Sequence, residues 1–363
     1  MAQGRADQAG ALPNPRGDAY FENLDGPSNP VSGYSPKQST FSLSEPIELG
    51  GKRDARMAAG SADIQAAEAQ DHLVLARFGY DLAVAYANAE AAEARIKLYA
   101  DALGAANEDL RGTQALVDAG RQAGVRAKQA SAAALAAQSD LEAAKADADQ
   151  AFARLSVLVA APESFTEVVP SLLPLTDHIS APSAAPKVFP AVVLAEAERE
   201  VALRELDVEK SRAWPDMTAT VGVRRLEGDR ATVLVGGVSF PIPVFDQNSG
   251  NISAASSAIA GADARLVAAR AEAETGWRAA LLQANAATAR LVAAKSGAAA
   301  AQEAYQLART GFDAGKISLL DLLSARRVLT DAQLRLVDIR VAQISAHAAL
   351  ARLSGTLPFG ASP

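Results

Sequence analysis

The sequence contains no cysteine in 363 residues. A disulfide framework, a zinc site with cysteine ligands and a thiol nucleophile are therefore excluded as the basis of its fold or function. Aromatic residues make up only 5% of the chain, although its hydrophobic content is 49% and is dominated by alanine. Large globular cores are not expected, whereas long helices with closely approaching backbones are favoured.

Charge and hydropathy argue against several function classes. The net charge of −7, without any cluster of lysine and arginine, argues against a nucleic-acid partner. No apolar run approaches the roughly 18 residues of a transmembrane helix, and the opening stretch MAQGRADQAG lacks the apolar segment of an export signal. His72, His178 and His347 are far apart, so neither a metal site nor a cofactor is predicted. No catalytic set is recognised, and an enzyme is not expected.

Two long helical hairpins are predicted from stretches that are rich in alanine and free of proline. The first covers about 51–160 and begins with a helix of roughly 95 Å, at ~1.5 Å per residue. Its turn lies in VDAGRQAG, which contains Gly120 and Gly124. The second covers about 250–354, with a turn in RTGFDAGK. Glycine suits such turns because it adopts a positive φ without steric cost.

A β-ribbon is predicted before each hairpin, at about 17–49 and about 216–245. In the second ribbon, two β-branched runs flank the turn EGDR. In the first, Phe41 and Leu43 alternate with polar residues, although Glu45 interrupts this apolar face. Isolated ribbons have bare edges and are only marginally stable, so they are expected to find partners, most simply in other copies of the chain.

The two halves of the chain repeat one plan. The Pro-Ile pair at 46–47 matches that at 241–242 with an offset of 195, and the turn glycines match with an offset of 191. The difference is about one helical turn, which a long helix can lose with little rotation of its faces. The predicted organisation is two repeats, 1–161 and 191–363, joined by a proline-rich linker at 162–190.

A helix is predicted at about 191–213, ahead of the second ribbon. By the repeat symmetry a similar helix belongs before the first ribbon, where only MAQGRADQAG stands. We therefore expect that this N-terminal helix is largely missing, that the chain is truncated at its N terminus, and that any export signal lies farther upstream. The 363-residue chain alone is expected to assemble poorly.

Together these features resemble the TolC-like outer membrane factor family, the outer membrane efflux proteins. The combination of ALPNP, PIELGGKR, PIPVFDQNSGN and AGKISLLDLLSARRVLTDAQL is specific and spans nearly the whole chain. The stretches AGALPNP and EPIELGGKR are most similar to the CzcC-like branch, from cobalt-zinc-cadmium efflux systems.

The resemblance implies a mainly α fold with a small β part, in which a β-ribbon and a long antiparallel helical hairpin occur twice. It implies a homotrimer whose strands form a twelve-stranded barrel in outer membrane lipid, continued into the periplasm by an α-helical barrel. Such a channel is the passive exit duct of a tripartite RND-type efflux system, here for heavy-metal cations. Its partners are a periplasmic adaptor protein and an inner membrane RND transporter. The residues assigned to the membrane ribbon are Phe41, Leu43, Pro46, Ile47, Pro241 and Ile242.

The resemblance also assigns roles to the hairpin turns. Gly120, Gly124, Gly311 and Gly315 are expected at the periplasmic tips, where the family contacts its adaptor. The alternative for these glycines is a plain helix-helix turn with no partner.

Phe312, Asp321 and Ser324 are placed by the resemblance at the periplasmic entrance. Copies of Asp321 would form an acidic ring that attracts cations. Ser324 stands where some relatives have a second aspartate, and Ala130 matches Asp321 in the first repeat, so the gate is less acidic than in those relatives. The alternatives are tip packing for Phe312 and a solvated charge, on a helix that also carries Arg326, for Asp321.

Two other protein classes remain open. A periplasmic adaptor would have one hairpin flanked by compact β domains, which two ribbon-led hairpins disfavour. The other alternative is a soluble coiled-coil interaction protein. Coiled-coil packing of the last helix is predicted from a seam spaced by three and four residues that begins with Leu322, Ala325 and Leu329. That class would not need the alternating ribbons.

Overall fold

The computed structural model describes residues 1–24, 37–177, 182 and 184–359. The chain is mostly helical with a small sheet. The helices are α1 (Ala2–Ala9), α2 (Lys52–Asp118), α3 (Gly124–Leu158), α4 (Pro190–Arg212), α5 (Ser249–Asp313) and α6 (Leu319–Ser354), and a 3₁₀ helix spans Leu173–Asp177. The strands are β1 (Arg16–Glu22), β2 (Gln38–Ile47), β3 (Met217–Leu226) and β4 (Ala231–Ser239). Among the described residues, no helix combines the length and the apolar character needed to cross a membrane.

The chain divides into two compact units, and each takes a part of both predicted repeats. Unit 1 consists of Met1–Asp71 and Ala191–Ala271, and unit 2 consists of His72–Pro190 and Glu272–Pro363. The division into two repeats therefore stays a prediction about sequence symmetry and does not coincide with the compact units.

Unit 1 contains one antiparallel sheet in the order β1-β2-β3-β4. The two ribbons pair with each other through β2 and β3, from Gln38↔Leu226 to Ile47↔Met217. The prediction that the ribbons first find partners in other copies was therefore wrong for these two strands. Among the described strands, β1 and β4 each have one neighbour and form the two edges of the sheet. The stretch at 25–36, inside the first predicted ribbon, lies outside the described residues.

The second ribbon is shorter than predicted. β4 ends at Ser239, so Pro241 and Ile242 follow the strand instead of belonging to it. Ser239 pairs with Thr218, one residue from the start of β3 at Met217, so β4 ends where its partner strand runs out.

A sharp turn in unit 1 connects β2 to α2. Gly50 and Gly51 have φ values of +72° and +71°, a conformation that favours glycine. A Cβ on Gly50 would also lie 2.6 Å from the Cβ of Trp214. Lys52 Nζ lies 2.7 Å from Asp216 Oδ1, which ties the start of α2 to the residue before β3.

Most of the buried apolar residues in the helices of unit 2 are alanines. On α5 the buried residues recur at intervals of four and three, as in a coiled-coil seam. They are Ala273, Trp277, Ala280, Ala284, Ala287 and Leu291. Ala346 and Leu350 of α6 pack against this stripe. A second cluster joins Ala87 and Ala91 of α2 to Val337 and Ile344 of α6. Helix α6 therefore packs against α5 of its own hairpin and against α2 of the other hairpin.

The linker is attached to the helices of unit 2 by buried polar contacts. Glu90 of α2 accepts hydrogen bonds from the Ser171 hydroxyl and from the backbone N–H groups of Leu172 (2.7 Å) and Leu173 (3.1 Å). The Gln343 amide of α6 donates to the Thr176 carbonyl at 3.1 Å. Residues 178–181 and 183 of the linker, including His178, lie outside the described residues.

Candidate functional site

The sheet of unit 1 has two faces of opposite character. Successive residues of a strand point to opposite faces, and directly paired residues share a face. The strand register therefore puts Leu43 beside Val221, and Phe41 beside Val223, on one face. Ile47 and, as predicted, the interrupting Glu45 belong to this face too. The remaining large apolar members are Phe21, Met217, Leu234 and Val238.

The opposite face carries most of its polar side chains on β1, β2 and β3, whereas β4 contributes Val233 and Val235 to it. Ser44 Oγ donates to Asp18 Oδ2 at 3.2 Å and lies 3.0 Å from Thr220 Oγ1. Farther along the strands, Arg224 Nε donates to Thr40 Oγ1 at 3.0 Å. Pro46 also lies on this polar side by the strand alternation.

The apolar face is exposed although its residues are large. Phe41, Leu43 and Val221 are each about half exposed, and Leu234 is 79% exposed. Contiguous exposed apolar surface of this kind marks an interaction surface. Strands with one apolar face and one polar face are the pattern of a sheet that has lipid on one side and water on the other.

The two hairpin turns of unit 2 have the same geometry. Gly120 and Gly315 both have φ of +69°. The N–H of Gly120 donates to Val117 O, and that of Gly315 donates to Phe312 O, each at 2.9 Å. These glycines are 195 residues apart, so the turns follow the same offset as the Pro-Ile pairs. The predicted match of Gly120 with Gly311 was therefore wrong.

Gly311 and Gly124 lie inside helices instead of at turn positions. Gly124 is the first residue of α3, with Ala123 as its N-cap. Gly311 lies in the last turn of α5, and a Cβ there would lie 2.5 Å from Ile317 Cδ1. Gly311 thus provides the space that the Ile317 side chain fills.

Asp321 forms a capping box with Ser318 at the start of α6. The Ser318 hydroxyl accepts from the Asp321 N–H, and Asp321 Oδ2 accepts from the Ser318 backbone N–H, each at 3.3 Å. Asp321 Oδ2 also accepts a hydrogen bond from the Ser318 hydroxyl at 2.6 Å. The Ser-x-x-Asp spacing could have predicted this pair from the sequence. Asp321 and Ser324 are exposed, and Phe312 is half-buried.

A buried ion pair between α2 and α6 was not predicted from the sequence. Arg326 of α6 donates to Asp109 of α2, and their side chains are 10% and 3% exposed. Burial lowers the pKa of the Arg326 guanidinium. Arg309 of α5 lies 3.7 Å from the other carboxylate oxygen of Asp109, and the Arg326 guanidinium stands over the Tyr305 ring at 5.8 Å. The cluster therefore joins the two hairpins.

Comparison with known proteins decides the family. The sequence matches the outer membrane efflux protein family over residues 2–161 and 182–356. The chain belongs to this family.

Two relatives and one solved structure illustrate how this outer membrane efflux protein compares with others. It is 41% identical over 354 residues to the nickel-cobalt-cadmium resistance protein NccC of Alcaligenes xylosoxydans xylosoxydans, covering 98% of this chain and 80% of NccC. It is 29% identical over 364 residues to the cobalt-zinc-cadmium resistance protein CzcC of Cupriavidus metallidurans, covering 97% of this chain and 84% of CzcC. The crystal structure of CusC superposes with a TM-score of 0.81 at 16% identity, covering 98% of this chain and 86% of CusC. The predicted TolC-like relationship is confirmed.

The histidines of this efflux protein do not form a metal site in the part of the chain that the structure describes. No group of three histidine or acidic side chains there could hold a metal ion. His347 is buried on α6, and its Nε2 has no hydrogen-bond partner among the described residues.

Proposed function

We propose that three copies of this chain form the outer membrane channel of a tripartite, RND-type efflux system. The observation that carries the proposal is the sheet, with one exposed apolar face, one polar face and two edge strands. Three such sheets joined at their edges give a twelve-stranded barrel that faces lipid outside and water inside. Closure satisfies the backbone groups of β1 and β4, as a membrane environment requires.

The proposed channel is a passive exit duct for heavy-metal cations. NccC and CzcC are named for resistance to nickel, cobalt, zinc and cadmium, and both match nearly the whole of this chain. Energy comes from an inner membrane RND transporter, and a periplasmic adaptor joins that transporter to the duct. The helices extend into the periplasm, where the turns at Gly120 and Gly315, with the adjoining Gly124 and Gly311, contact the adaptor.

The entrance of the duct is proposed at Phe312, Asp321 and Ser324, near the second turn. Asp321 is exposed, so its charge is available to passing cations, although its carboxylate also accepts hydrogen bonds from Ser318 in the capping box. Two variants separate the roles. Ser318→Ala weakens the cap and keeps the charge, whereas Asp321→Asn removes the charge.

Conductance of the purified protein in planar bilayers tests this entrance. We expect Asp321→Asn to lower the preference for cations over anions, measured by the reversal potential in a salt gradient, and Ser318→Ala to leave it unchanged. The duct itself is tested in a deletion strain, which should become sensitive to nickel, cobalt or cadmium and recover with the intact gene. A monomer without pore activity, recovered from the soluble periplasm, would refute the proposal.

A further inference from the structure

The paired strands arrange the polar face of the sheet in rows that run across it. Directly paired residues lie in one row, and residues two positions apart on a strand lie in neighbouring rows, about 7 Å apart. Tyr20, Thr40, Arg224 and Val233 are paired in succession from β1 to β4 and form one such row. Arg224 is the charged member of this row and lies on the inner strand β3.

Positive and negative side chains alternate along the polar face. Arg16, Asp18 and Glu22 of β1 lie on this face, and Arg224 falls in the row between those of Asp18 and Glu22. These four are the charged side chains of the polar face in the described strands. Two are positive and two are negative, so the charges of this face sum to zero.

Arg224 is held in its row by the neighbouring strand. Its Nε donates to Thr40 Oγ1 at 3.0 Å, and Thr40 is buried, with 6% of its surface exposed. None of the ion pairs formed among the described residues includes Arg224. Its charge is therefore positioned on the polar face without being neutralised by a direct partner. Since β2 and β3 are the inner strands, this placement does not depend on how copies of the chain meet.

We propose that Arg224 sets the ion selectivity of the channel lumen by balancing the carboxylates of the polar face. The inference rests on the proposed channel, in which this face lines the water-filled interior, and it adds a residue that determines which ions pass. Without Arg224, the carboxylates of Asp18 and Glu22 would be balanced by Arg16 alone. Each chain would then contribute one net negative charge to the lumen.

The balance of charge matters most for a divalent cation. The attraction to a fixed negative charge is about twice as strong for a divalent ion as for a monovalent ion at the same distance. Conduction requires that an ion bind weakly enough to leave again. Uncompensated carboxylates would therefore hold divalent cations in the lumen, whereas the charge of Arg224 allows them to pass on.

The chain offers a matched control next to Arg224. Arg225 follows it on β3, pairs with Ser39 and therefore belongs to the apolar face, where it is exposed. Arg224→Gln and Arg225→Gln thus remove the same charge from neighbouring positions on opposite faces. Arg224→Lys keeps the positive charge and separates the role of the charge from that of the side-chain shape.

The 363-residue chain and its variants are compared as pores in planar bilayers. The reversal potential in a potassium chloride gradient gives the preference for K⁺ over Cl⁻, and nickel chloride is then added to measure block of the potassium current. For Arg224→Gln we expect at least about a twofold rise in the K⁺ preference, because the charge acts across water and is screened by salt. The nickel concentration that halves the current should fall at least about twofold. Arg225→Gln and Arg224→Lys should match the unaltered chain.

Other outcomes would contradict the proposal. An Arg224→Gln pore with unaltered selectivity and nickel block would overturn the inference and leave the channel intact. Equal shifts for Arg224→Gln and Arg225→Gln, or an Arg224→Lys pore that behaves like Arg224→Gln, would do the same. If Arg224→Gln forms no pores, Glu22→Gln is the second test. Removing this exposed carboxylate should lower the K⁺ preference at least about twofold, and an unchanged preference would overturn the inference. Failure of the unaltered chain to form any pore would overturn the proposed channel as well.

Discussion

Loss of the Asp109 carboxylate should destabilise unit 2 more than loss of any exposed ion pair. Asp109→Ala leaves the Arg326 guanidinium buried between α2 and α6 without its partner. Removing one partner of a buried ion pair costs about 3 to 5 kcal/mol. Arg326→Ala should cost less, about 1 to 3 kcal/mol, because Arg309 lies 3.7 Å from Asp109 and still neutralises part of its charge.

The assay is urea unfolding in detergent, followed by helical circular dichroism at one fixed protein concentration, because subunit association contributes to stability. The double variant Asp109→Leu with Arg326→Met removes both charges, and buried pairs replaced in this way are often neutral or more stable. It should recover most of the loss caused by Asp109→Ala. Glu142→Ala is the exposed control, since Glu142 lies 2.9 Å from Lys145 on α3 and such pairs contribute at most about 1 kcal/mol.

Two results would refute this reasoning. The first is equal destabilisation by Asp109→Ala and Glu142→Ala, which would mean that burial does not make the pair costly to break. The second is a double variant as unstable as Asp109→Ala, which would mean that packing volume, not the unpaired charge, dominates the loss.

Three further outcomes are expected. Leu43→Arg should reduce the amount of folded protein in the outer membrane fraction, because arginine on a lipid-facing strand costs about 2 to 4 kcal/mol near the membrane centre. Ser42→Arg, on the polar face, should be tolerated, and equal losses of folded protein for the two variants would contradict the face assignment. Glu90→Ala should cost roughly 1 to 3 kcal/mol and speed hydrogen exchange at the Leu172 and Leu173 amides, which unchanged exchange would disprove. Burial lowers the pKa of His347 below its usual 6.5, so the unfolded chain binds the proton more readily than the folded chain. The stability should therefore fall as the pH drops below 6.5. His347→Leu should flatten this pH dependence, and an unaltered pH profile would contradict the prediction.

Local patterns predicted the helices and ribbons well. Proline and glycine mark the ends of the hairpins, and alternation marks the strands, so the predicted helix at 191–213 differs by one residue at each end from α4 (Pro190–Arg212). The predicted ribbon end at 245 was too late because apolar alternation continues past Ser239, whereas the partner strand β3 begins at Met217 and leaves nothing to pair with. Hydropathy carries no information about where a partner strand begins.

Contacts between residues distant in sequence could not be predicted in this way. Asp109 and Arg326 are 217 residues apart, and each looks like an ordinary charge on an amphipathic helix. The pairing of β2 with β3 is equally non-local, because alternation predicts a strand and its faces but not its neighbour. The entrance residues Phe312, Asp321 and Ser324 stay a prediction from resemblance.

The common offset of 195 changes the electrostatics of the proposed entrance. Each of the two stretches predicted as turns, VDAGRQAG and RTGFDAGK, contains two glycines four residues apart, so two alignments of the repeats are possible from the sequence. Only Gly120 and Gly315 have a positive φ, and the bonds around them match at 195. The equivalent of Asp321 is therefore Arg126 in the first turn of α3, not Ala130. If both repeats of the trimer contribute to the entrance, carboxylates alternate there with guanidinium groups, and the attraction for cations is weaker than an acidic ring alone would give.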